Sequence, residues 1–521
     1  MERPDKKIMN LKSILESAAE RFADKAAIIL GERHVSFAQI DEDSNRVAHA
    51  LIKMGVKKGD RVAMIQASNP EFATIFFGII KAGAIAVPLD SRYIADELEI
   101  LFNDCRPKVL AIENPPMETL LPALSRFTSI EHIINFDPDR EGQFSDYSKI
   151  IDESSPASAN VEISPEDIAV ISYTGGPTQK PHGVALSHRS LYTEAVDSAE
   201  GFKQTENDIL MQFALPTYHQ FGLTAVLIAS ILTGNTVVVV PGTGRSIDSF
   251  METVEREKGT LYMGVPYIYA LMINVARREG IRHDLSSIRL CASGGAPLEP
   301  EVIRLFKQYY GLEIHDIYWQ TETVCHITCM PVDGEYKIGS SGKPLSCWEI
   351  KILDDNDNEL PSGREGEIVV RGPVMTGFYN KPEATGKIIR NNWLHTGDIG
   401  HLDEDGYLYI TGRKRRMLIL KGQNIFPDDI EEVLATHPKI AEVRVVGVPD
   451  LIRGETIKAL VRLKPGERAT EQEVRHYCQG RMADYKLPRE VAFVEEIPES
   501  VPNWTRHKNE GAGYLTPEGT G

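Results

Sequence analysis

Apolar side chains recur at helical spacing near the start of the chain. In the first segment they are Leu11, Ile14, Leu15, Ala18 and Phe22, and the same pattern returns from Phe37 to Met54. A repeat of three to four residues places these side chains on one face, so the pattern predicts two amphipathic helices. Pro70 to Ala82 is apolar on nearly every side, which predicts a buried helix.

Short apolar runs alternate with these helices and predict strands. They cover Arg61 to Ile65, Ala84 to Leu89, Val109 to Ile112, His132 to Asn135, Ile168 to Tyr173, Ile209 to Leu215, Thr236 to Val240, Thr260 to Met263, Arg289 to Ala292 and Glu313 to Tyr318. Strands alternating with helices indicate a mixed α/β fold. A helix is expected to start near His188 and another to reach Leu232, whereas the Ser-rich stretch 142–158 is expected to be a surface linker.

The pattern changes after Ile350, where short strands (Ile350 to Leu353, Glu367 to Arg371) alternate with turns and predict a small β-rich subdomain. A new α/β pattern follows, with helices at Pro427 to Leu434 and Glu471 to Gly480 and strands at Glu442 to Val448 and Ile457 to Leu463. We therefore expect a large N-terminal domain of residues 1–412 and a small mobile α+β domain of residues 413–521.

Composition narrows the class of protein. The chain has 521 residues and a net charge of −18, so nucleic acid is not an expected partner. Its apolar stretches are too short to span a bilayer, and the charged N-terminus does not look like a signal peptide. None of its six cysteines forms a C-x-x-C pair, which favours reduced thiols over disulfides or metal ligands. A cytoplasmic protein is the resulting expectation.

Three loops that follow predicted strands could carry chemistry. The first, from Ile171 to His188, reads I-S-Y-T-G-G-P-T-Q-K-P-H-G-V-A-L-S-H, and such glycine-rich loops bring backbone amides close to phosphate. The others are S-G-G-A-P-L from Ser293 and Y-W-Q-T-E-T from Tyr318, at strand ends where α/β sheets bind ligands. Each loop taken alone is also compatible with an ordinary turn, and Glu322 with a solvated acid. Asp354-Asp355-Asn356-Asp357 matches only part of a calcium loop, and a hairpin turn is favoured there.

The order of several motifs resembles the adenylate-forming superfamily, which includes acyl-CoA synthetases, luciferases and peptide-synthetase adenylation domains. Y-T-G-G-P-T-Q-K-P-H-G is similar to its phosphate loop. S-G-G-A-P-L, Y-W-Q-T-E-T, W-L-H-T-G-D, G-R-K-R-R-M, K-G-Q-N-I-F-P-D-D-I-E, P-D-L-I-R-G-E and Y-K-L-P-R follow in the superfamily's order. The resemblance covers essentially the whole chain up to Pro498. It implies a ligase that joins a carboxylic acid to coenzyme A, using ATP and Mg2+.

The resemblance also implies roles for individual residues. Thr174, Gly176, Thr178 and Gly183 would close over the β- and γ-phosphates, Thr321 would bind the α-phosphate, and Glu322 would ligate Mg2+. Gly294, Gly295 and Ala296 would line the adenine and acyl channel, with Asp316, Ile317 and Tyr318 on the other side of the adenine. Asp398 would hold the ribose hydroxyls, Arg413 the ribose or phosphate, and His219 the acyl pocket. Arg416 would be the hinge, and Gly422 would guide the pantetheine arm.

Two motifs depart from the superfamily's pattern. Gly175, Pro177, Gln179 and His182 replace the usual Ser, Thr, Gly and Lys of the phosphate loop. Near the C-terminus, Trp504 stands where the superfamily has a lysine that bridges the substrate carboxylate and the α-phosphate, although Arg506 or Lys508 could reach the site by another path. These changes predict slow adenylation. They also leave open a weakened homologue that binds nucleotide or acyl ligand.

Trp319 bears on substrate size. Relatives that take longer or aromatic acids usually have Gly at this position, whereas Y-W-Q-T-E is similar to the form in acetyl-CoA synthetases. An indole there would close the acyl tunnel, which predicts a short acid of roughly two to four carbons. The alternative is that Trp319 packs in the core and the acid enters along another wall.

Overall fold

The fold is that of a computed structural model, which describes residues 10–114, 116–136, 144–173, 181–242, 246–414, 418–420, 423–450 and 454–497. All six cysteines are free thiols, and five of them are buried. Across the described ranges, every helix is too short or too polar to span a bilayer.

The strands of the N-terminal half are β1 (Ala26–Leu30), β2 (Arg33–Ser36), β3 (Arg61–Ile65), β4 (Ile85–Pro88), β5 (Val109–Ile112), β6 (His132–Asn135), β7 (Ser145–Asp146), β8 (Ile168–Tyr173), β9 (Gly183–Ser187), β10 (Ile209–Phe213), β11 (Thr236–Val240) and β12 (Leu261–Gly264). Those that follow are β13 (Leu290–Ser293), β14 (Ile314–Trp319), β15 (His326–Cys329), β16 (Lys343–Pro344), β17 (Glu349–Leu353), β18 (Gly366–Arg371), β19 (Gly377–Phe378), β20 (Ile389–Arg390), β21 (Trp393–Leu402), β22 (Leu408–Arg413), β23 (Leu418–Leu420), β24 (Gln423–Ile425), β25 (Ile440–Asp450), β26 (Gly454–Leu463) and β27 (Glu490–Phe493).

The helices are α1 (Leu11–Arg21), α2 (Phe37–Lys53), α3 (Pro70–Lys81), α4 (Ala95–Cys105), α5 (Pro116–Leu120), α6 (Tyr147–Glu153), α7 (His188–Gly201), α8 (Ala229–Thr233), α9 (Ile247–Glu257), α10 (Pro266–Glu279), α11 (Pro300–Tyr310), α12 (Pro382–Ile388), α13 (Pro427–Ala435) and α14 (Glu471–Cys478). Phe221–Ile228 is a π-helix that runs directly into α8, and short 3-10 turns occupy Leu121–Arg126, Thr321–Thr323 and Asp484–Lys486.

These strands form four sheets in the described part of the chain. One has eight strands in the order β19-β9-β8-β4-β3-β5-β6-β7, and another has nine in the order β16-β15-β14-β13-β12-β10-β11-β1-β2. Both are parallel at their centres and antiparallel towards an edge. The β-rich subdomain contains β17, β18, β20, β21 and β22, and the C-terminal sheet contains β23 to β27. The predicted mixed α/β architecture is confirmed.

The largest hydrophobic core lies between the two large sheets. It joins side chains of α1, α2, α3, α7 and the π-helix to inward-facing residues of both sheets. A second core covers the other face of the nine-stranded sheet under α9, α10 and α11. Because α3 is buried along its whole length, its apolar composition follows directly from its position.

The prediction of a surface linker at 142–158 is wrong for the described part of that stretch. Ser145–Asp146 extends the eight-stranded sheet, and Tyr147–Glu153 is a helix whose Asp146 side chain caps its first turn. Tyr147 stacks on Phe136 with 4.6 Å between the ring centroids, and Ile150 is buried. The apolar residues needed for this packing were present, but the polar residues between them obscured their helical spacing.

The turn at Asp354 agrees with the favoured interpretation. Asp354 Oδ1 accepts hydrogen bonds from the backbone amides of Asn356 and Asn358, at 2.8 and 2.9 Å. The carboxylate therefore closes a local turn. The predicted domain boundary, between residues 412 and 413, lies one residue before the end of β22, and residues 415–417 are outside the described chain.

Candidate active site

The site is built where three neighbouring parallel strands end. The strands β12, β13 and β14 lie side by side in parallel, so the loops at their carboxyl ends meet at one edge of the sheet. Gly294 follows β13, and a Cβ atom at this position would lie 2.5 Å from Ile317 Cγ1. Gly295 adopts a φ of +77°, which side chains disfavour. The two glycines therefore keep this edge open next to the last residues of β14.

Asp398 is held by three side chains. It lies opposite Arg413 in the β21–β22 pair, and Arg413 Nε lies 2.9 Å from Asp398 Oδ1 in an ion pair. The hydroxyl of Tyr318 donates to Oδ2 at 2.7 Å, and Gln320 Nε2 donates to the same oxygen at 2.9 Å. The carboxylate is almost completely buried, and its contacts fix its orientation. Each carboxylate oxygen accepts about two hydrogen bonds, so Oδ1 retains one acceptor position for a ligand.

Arg413 and Tyr318 place hydrogen-bond donors beside the Asp398 carboxylate. Arg413 Nη1 is buried and has no hydrogen-bond partner among the described residues. Burial, followed by the nearby Asp398 carboxylate, raises the pKa of Tyr318 well above its ordinary value. Tyr318 is therefore a neutral hydrogen-bond donor at physiological pH.

Thr321 and Glu322 lie in the 3-10 turn that follows β14. The turn begins at Gln320, whose backbone amide donates to Thr323 Oγ1 at 2.9 Å. Thr321 is buried and Glu322 is half-buried. The backbone carbonyl of Glu322 accepts a hydrogen bond from the Met375 amide at 2.8 Å, which anchors the turn to the loop after β18. Thr321 and Glu322 thus directly follow Gln320, whose side chain contacts the Asp398 carboxylate.

Asp316 and Ile317 are buried residues of β14. Asp316 Oδ2 accepts a hydrogen bond from Ser341 Oγ at 3.1 Å. Ala296 is half-buried in the loop after β13, beside Gly295.

His219 and Trp319 form part of a large cavity. Their rings meet edge to face with centroids 5.1 Å apart, and Phe221 lies 6.0 Å from the Trp319 ring. The cavity has a volume of about 1150 Å3, and Gly294 and Gly295 also line it. Burial lowers the pKa of His219 to about 4, so its ring is neutral at physiological pH. His219 Nδ1 and Trp319 Nε1 are buried without a hydrogen-bond partner among the described residues.

The base of the glycine-rich loop is anchored by residues that the sequence did not indicate. Tyr173 donates a hydrogen bond to Asp104 Oδ2 at 2.7 Å, and Lys381 Nζ contacts both Asp104, at 2.7 Å, and the carbonyl of Pro181. Gly183 pairs with Tyr173, and a Cβ atom there would lie 2.7 Å from Ile171 Cγ2. Asp104 and Lys381 are separated by 277 positions, so only the fold brings them together.

Several predicted site residues lie outside the described residues. They are Thr174, Gly176 and Thr178 of the glycine-rich loop, the hinge residue Arg416, Gly422, and the C-terminal residues Trp504, Arg506 and Lys508. Their roles stay predictions.

Part of the C-terminal domain lines the same cavity. Leu420, Tyr485, Leu487 and Arg489 contribute to its wall. Nearby, Lys486 Nζ lies 2.9 Å from Glu97 Oε1 in an ion pair whose two side chains are both buried. The cavity is thus lined by residues from both the N-terminal and the C-terminal parts of the chain.

Comparisons with known proteins agree with this architecture. Residues 15–379 match the model of the AMP-binding enzyme family, and residues 429–502 match that of the AMP-binding enzyme C-terminal domain. The chain is 33% identical to a long-chain-fatty-acid–CoA ligase of Bacillus subtilis (94% of this chain, 92% of the relative). It is 34% identical to an indoleacetate–CoA ligase of Aromatoleum aromaticum (95% and 96%). The structure of a double mutant of o-succinylbenzoate CoA synthetase from Bacillus subtilis, bound to a product analogue, superposes with a TM-score of 0.81 at 27% identity (94% and 95%).

Proposed function

Because the chain belongs to the AMP-binding enzyme family, in a branch of acyl- and aryl-CoA ligases, we propose that it is an AMP-forming acyl-CoA ligase. In the first half-reaction a carboxylate attacks the α-phosphate of ATP, giving an acyl-adenylate and pyrophosphate. In the second, the thiol of coenzyme A displaces AMP. Such a reaction depends mainly on positioning and charge neutralisation.

The anchored carboxylate of Asp398 carries this proposal. The ion pair with Arg413 and the hydrogen bonds from Tyr318 and Gln320 fix it at the edge where β14 ends. A carboxylate with a free acceptor position suits the hydroxyls of a ribose. Arg413 Nη1, which has no partner among the described residues, supplies a donor for the ribose or a phosphate oxygen.

Thr321 and Glu322 supply the groups for the phosphates. Glu322 offers a carboxylate close to the proposed ribose site at Asp398. Mg2+ is commonly bound by one or two carboxylates together with substrate phosphates. This chain therefore fits Mg2+, which would neutralise phosphate charge when bound. The hydroxyl of Thr321 is next to it and would donate to the α-phosphate. Thr174, Gly176, Thr178 and Gly183 would complete the phosphate site.

We assign the acid to the pocket beside His219 and Trp319. The neutral His219 and the edge-to-face indole would form the end of the pocket, with Gly295 at its side. An indole in this position leaves room for a short acyl chain, of roughly two to four carbons. The relatives named above act on long-chain or aromatic acids, so chain length is a sharp test of this assignment.

The C-terminal part of the chain would carry the second half-reaction. We propose that residues 413–521 rotate about Arg416 between the two steps, as in hinge closure generally, while Gly422 guides the pantetheine arm. The cavity wall formed by Tyr485, Leu487 and Arg489 supports a role for this part in substrate binding. Arg416→Pro should restrict the hinge and affect the two half-reactions unequally.

The alternative is a weakened homologue that binds nucleotide or acyl ligand without efficient turnover. Trp504 at the usual lysine position and the altered phosphate loop favour it. Loss of a charge clamp costs a few kcal/mol of transition-state stabilisation, or about two to three orders of magnitude in rate. The presence of Glu322, Asp398 and Arg413 favours the enzyme.

Pyrophosphate release with a panel of carboxylic acids distinguishes the two functions. We expect ATP-dependent release with at least one short acid, and faster thioester formation from pre-made acyl-adenylate than from acid and ATP. Trp504→Lys should raise the adenylation rate. If no acid releases pyrophosphate although ATP binds measurably, the protein is the weakened homologue.

A further inference from the structure

A buried group of potential metal ligands is separate from the proposed nucleotide site at Asp398 and Glu322. Glu194 is on α7, Cys325 immediately precedes β15, and His326 is the first residue of that strand. All three side chains are fully buried, with no exposed surface. One ligand atom from each lies within 4.8 Å of the others. Three such atoms share a point about 2.8 Å or less from each of them, so side-chain shifts under about 1 Å would give the 2.0–2.3 Å distances of a zinc site.

His326 has the arrangement of a metal-ligating histidine. Its Nδ1 forms a hydrogen bond with Ser198 Oγ at 3.1 Å, while its Nε2 is buried without a hydrogen-bond partner among the described residues. With the proton on Nδ1, Ser198 accepts it and Nε2 presents a free lone pair. A metal-ligating histidine normally has its second nitrogen fixed in this way. The Phe202 and Phe221 rings pack edge to face on the imidazole, at 5.1 and 5.3 Å, and hold its orientation.

Glu194 also has one oxygen occupied and one free. Trp348 Nε1 donates to Oε2 at 3.1 Å, whereas Oε1 is buried without a partner among the described residues. Burial, followed by the nearby Asp197 carboxylate, raises the pKa of Glu194 well above its ordinary value, while the Trp348 indole and the His326 backbone amide oppose this shift. A buried carboxylate beside another carboxylate requires either a proton or a cation.

The Cys325 thiol completes the set. Burial, followed by the nearby Glu194 carboxylate, raises the pKa of the Cys325 thiol well above its ordinary value, and the backbone amides of His326 and Ala225 oppose this shift. One thiolate and one carboxylate balance the charge of a divalent ion. Sulfur, nitrogen and oxygen together are the donors that zinc takes in proteins.

We propose that Glu194, Cys325 and His326 bind one divalent transition-metal ion, with zinc as the best match to these donors. Binding displaces the protons of the Cys325 thiol and the Glu194 carboxyl group. The ion ties α7 to β15 behind the acyl pocket, because the Phe221 ring contacts both His326 and Trp319. The site is separate from the Mg2+ site proposed at Glu322.

Metal content of the full chain tests this proposal independently of activity. The protein, purified under reducing conditions without chelator, is incubated with zinc, passed over a desalting column and analysed by elemental mass spectrometry. We expect about one zinc per chain. Replacing a ligand, as in Cys325→Ala or Glu194→Gln, should weaken retention at least about tenfold, since even outer hydrogen-bonding partners contribute 10–100-fold.

Cys329→Ala is the matched control, because Cys329 is a buried thiol on the same strand and its sulfur contacts the Met330 carbonyl. This variant should retain the full amount of zinc. Cobalt(II) provides a readout that needs no variant, since ligation by Cys325 gives a thiolate-to-cobalt charge-transfer band. Wild-type protein that retains no zinc, a Cys325→Ala variant that retains all of it, or bound cobalt without that band would overturn the proposal.

Discussion

At the residue scale, Trp319 decides the expected length of the acyl chain. Replacing it by glycine removes the indole that lies edge to face with His219. Trp319→Gly should shift preference towards longer acids, because each added methylene contributes about 0.8 kcal/mol of burial, or about fourfold in kcat/KM. Competition between acids of increasing length measures this preference. Trp393→Gly is the control, since Trp393 packs against Arg371 in the β-rich subdomain. An unchanged preference in Trp319→Gly would refute the pocket assignment.

Tyr318 supplies a second test at this scale. Its hydroxyl donates to the buried Asp398 carboxylate at 2.7 Å. A hydrogen bond to a charged group contributes about 1.5–3 kcal/mol, so Tyr318→Phe should raise the KM for ATP by roughly one to two orders of magnitude. Tyr336→Phe loses only a hydrogen bond to the Ile314 carbonyl and should leave this KM unchanged. Equal effects in the two variants would mean that Tyr318 does not position the nucleotide site.

At the element scale, the π-helix Phe221–Ile228 depends on a close backbone contact. A Cβ atom at Gly222 would lie 2.2 Å from the carbonyl oxygen of Pro216, which cannot rotate away. Gly222→Ala should therefore destabilise the fold by about 1–3 kcal/mol, measured by urea unfolding. Gly386→Ala is the matched control, because nothing lies within 4 Å of the added atom in α12. Alanine should stabilise that helix by up to about 1 kcal/mol. A stable Gly222→Ala protein would contradict the contact.

At the scale of the whole molecule, Asp429 makes stability depend on pH. Burial raises its pKa to about 7, against the opposing effect of Lys486; Glu432, Asp428 and Glu97 raise it further. The folded state therefore binds a proton that the unfolded state releases near pH 4. Stability should fall as pH rises from about 4 to about 7 and then level off.

The Asp429→Asn variant checks this dependence. Asparagine does not titrate, so the difference in Tm between about pH 5 and pH 8 should shrink relative to wild type. Asp152→Asn is the control, because Asp152 is exposed on α6 and is not among the groups that act on Asp429. If both variants keep the wild-type pH dependence, Asp429 titrates near its ordinary pKa in the folded protein.

The sequence predicted most elements because each has a strong local signal. The period of three to four residues in α1 and α2, and the uniformly apolar α3, match the structure closely. The strands at 61–65, 109–112, 132–135 and 236–240 were predicted at the boundaries the structure has. The helix at 147–153 was missed, since its packing against Phe136 depends on contacts that a local pattern does not reveal.

The sequence by itself determined the family and the order of the motifs around Glu322 and Asp398, because the identity and order of short motifs can be read directly from the sequence. Only the tertiary structure decided which groups meet. Arg413, Tyr318 and Gln320 converge on one carboxylate, and Lys381 reaches Asp104 across 277 positions. The grouping of Glu194 with Cys325 and His326 likewise exists only after folding. Local periodicity fixes which face of an element is buried, whereas contacts between distant side chains depend on how the sheets and helices pack.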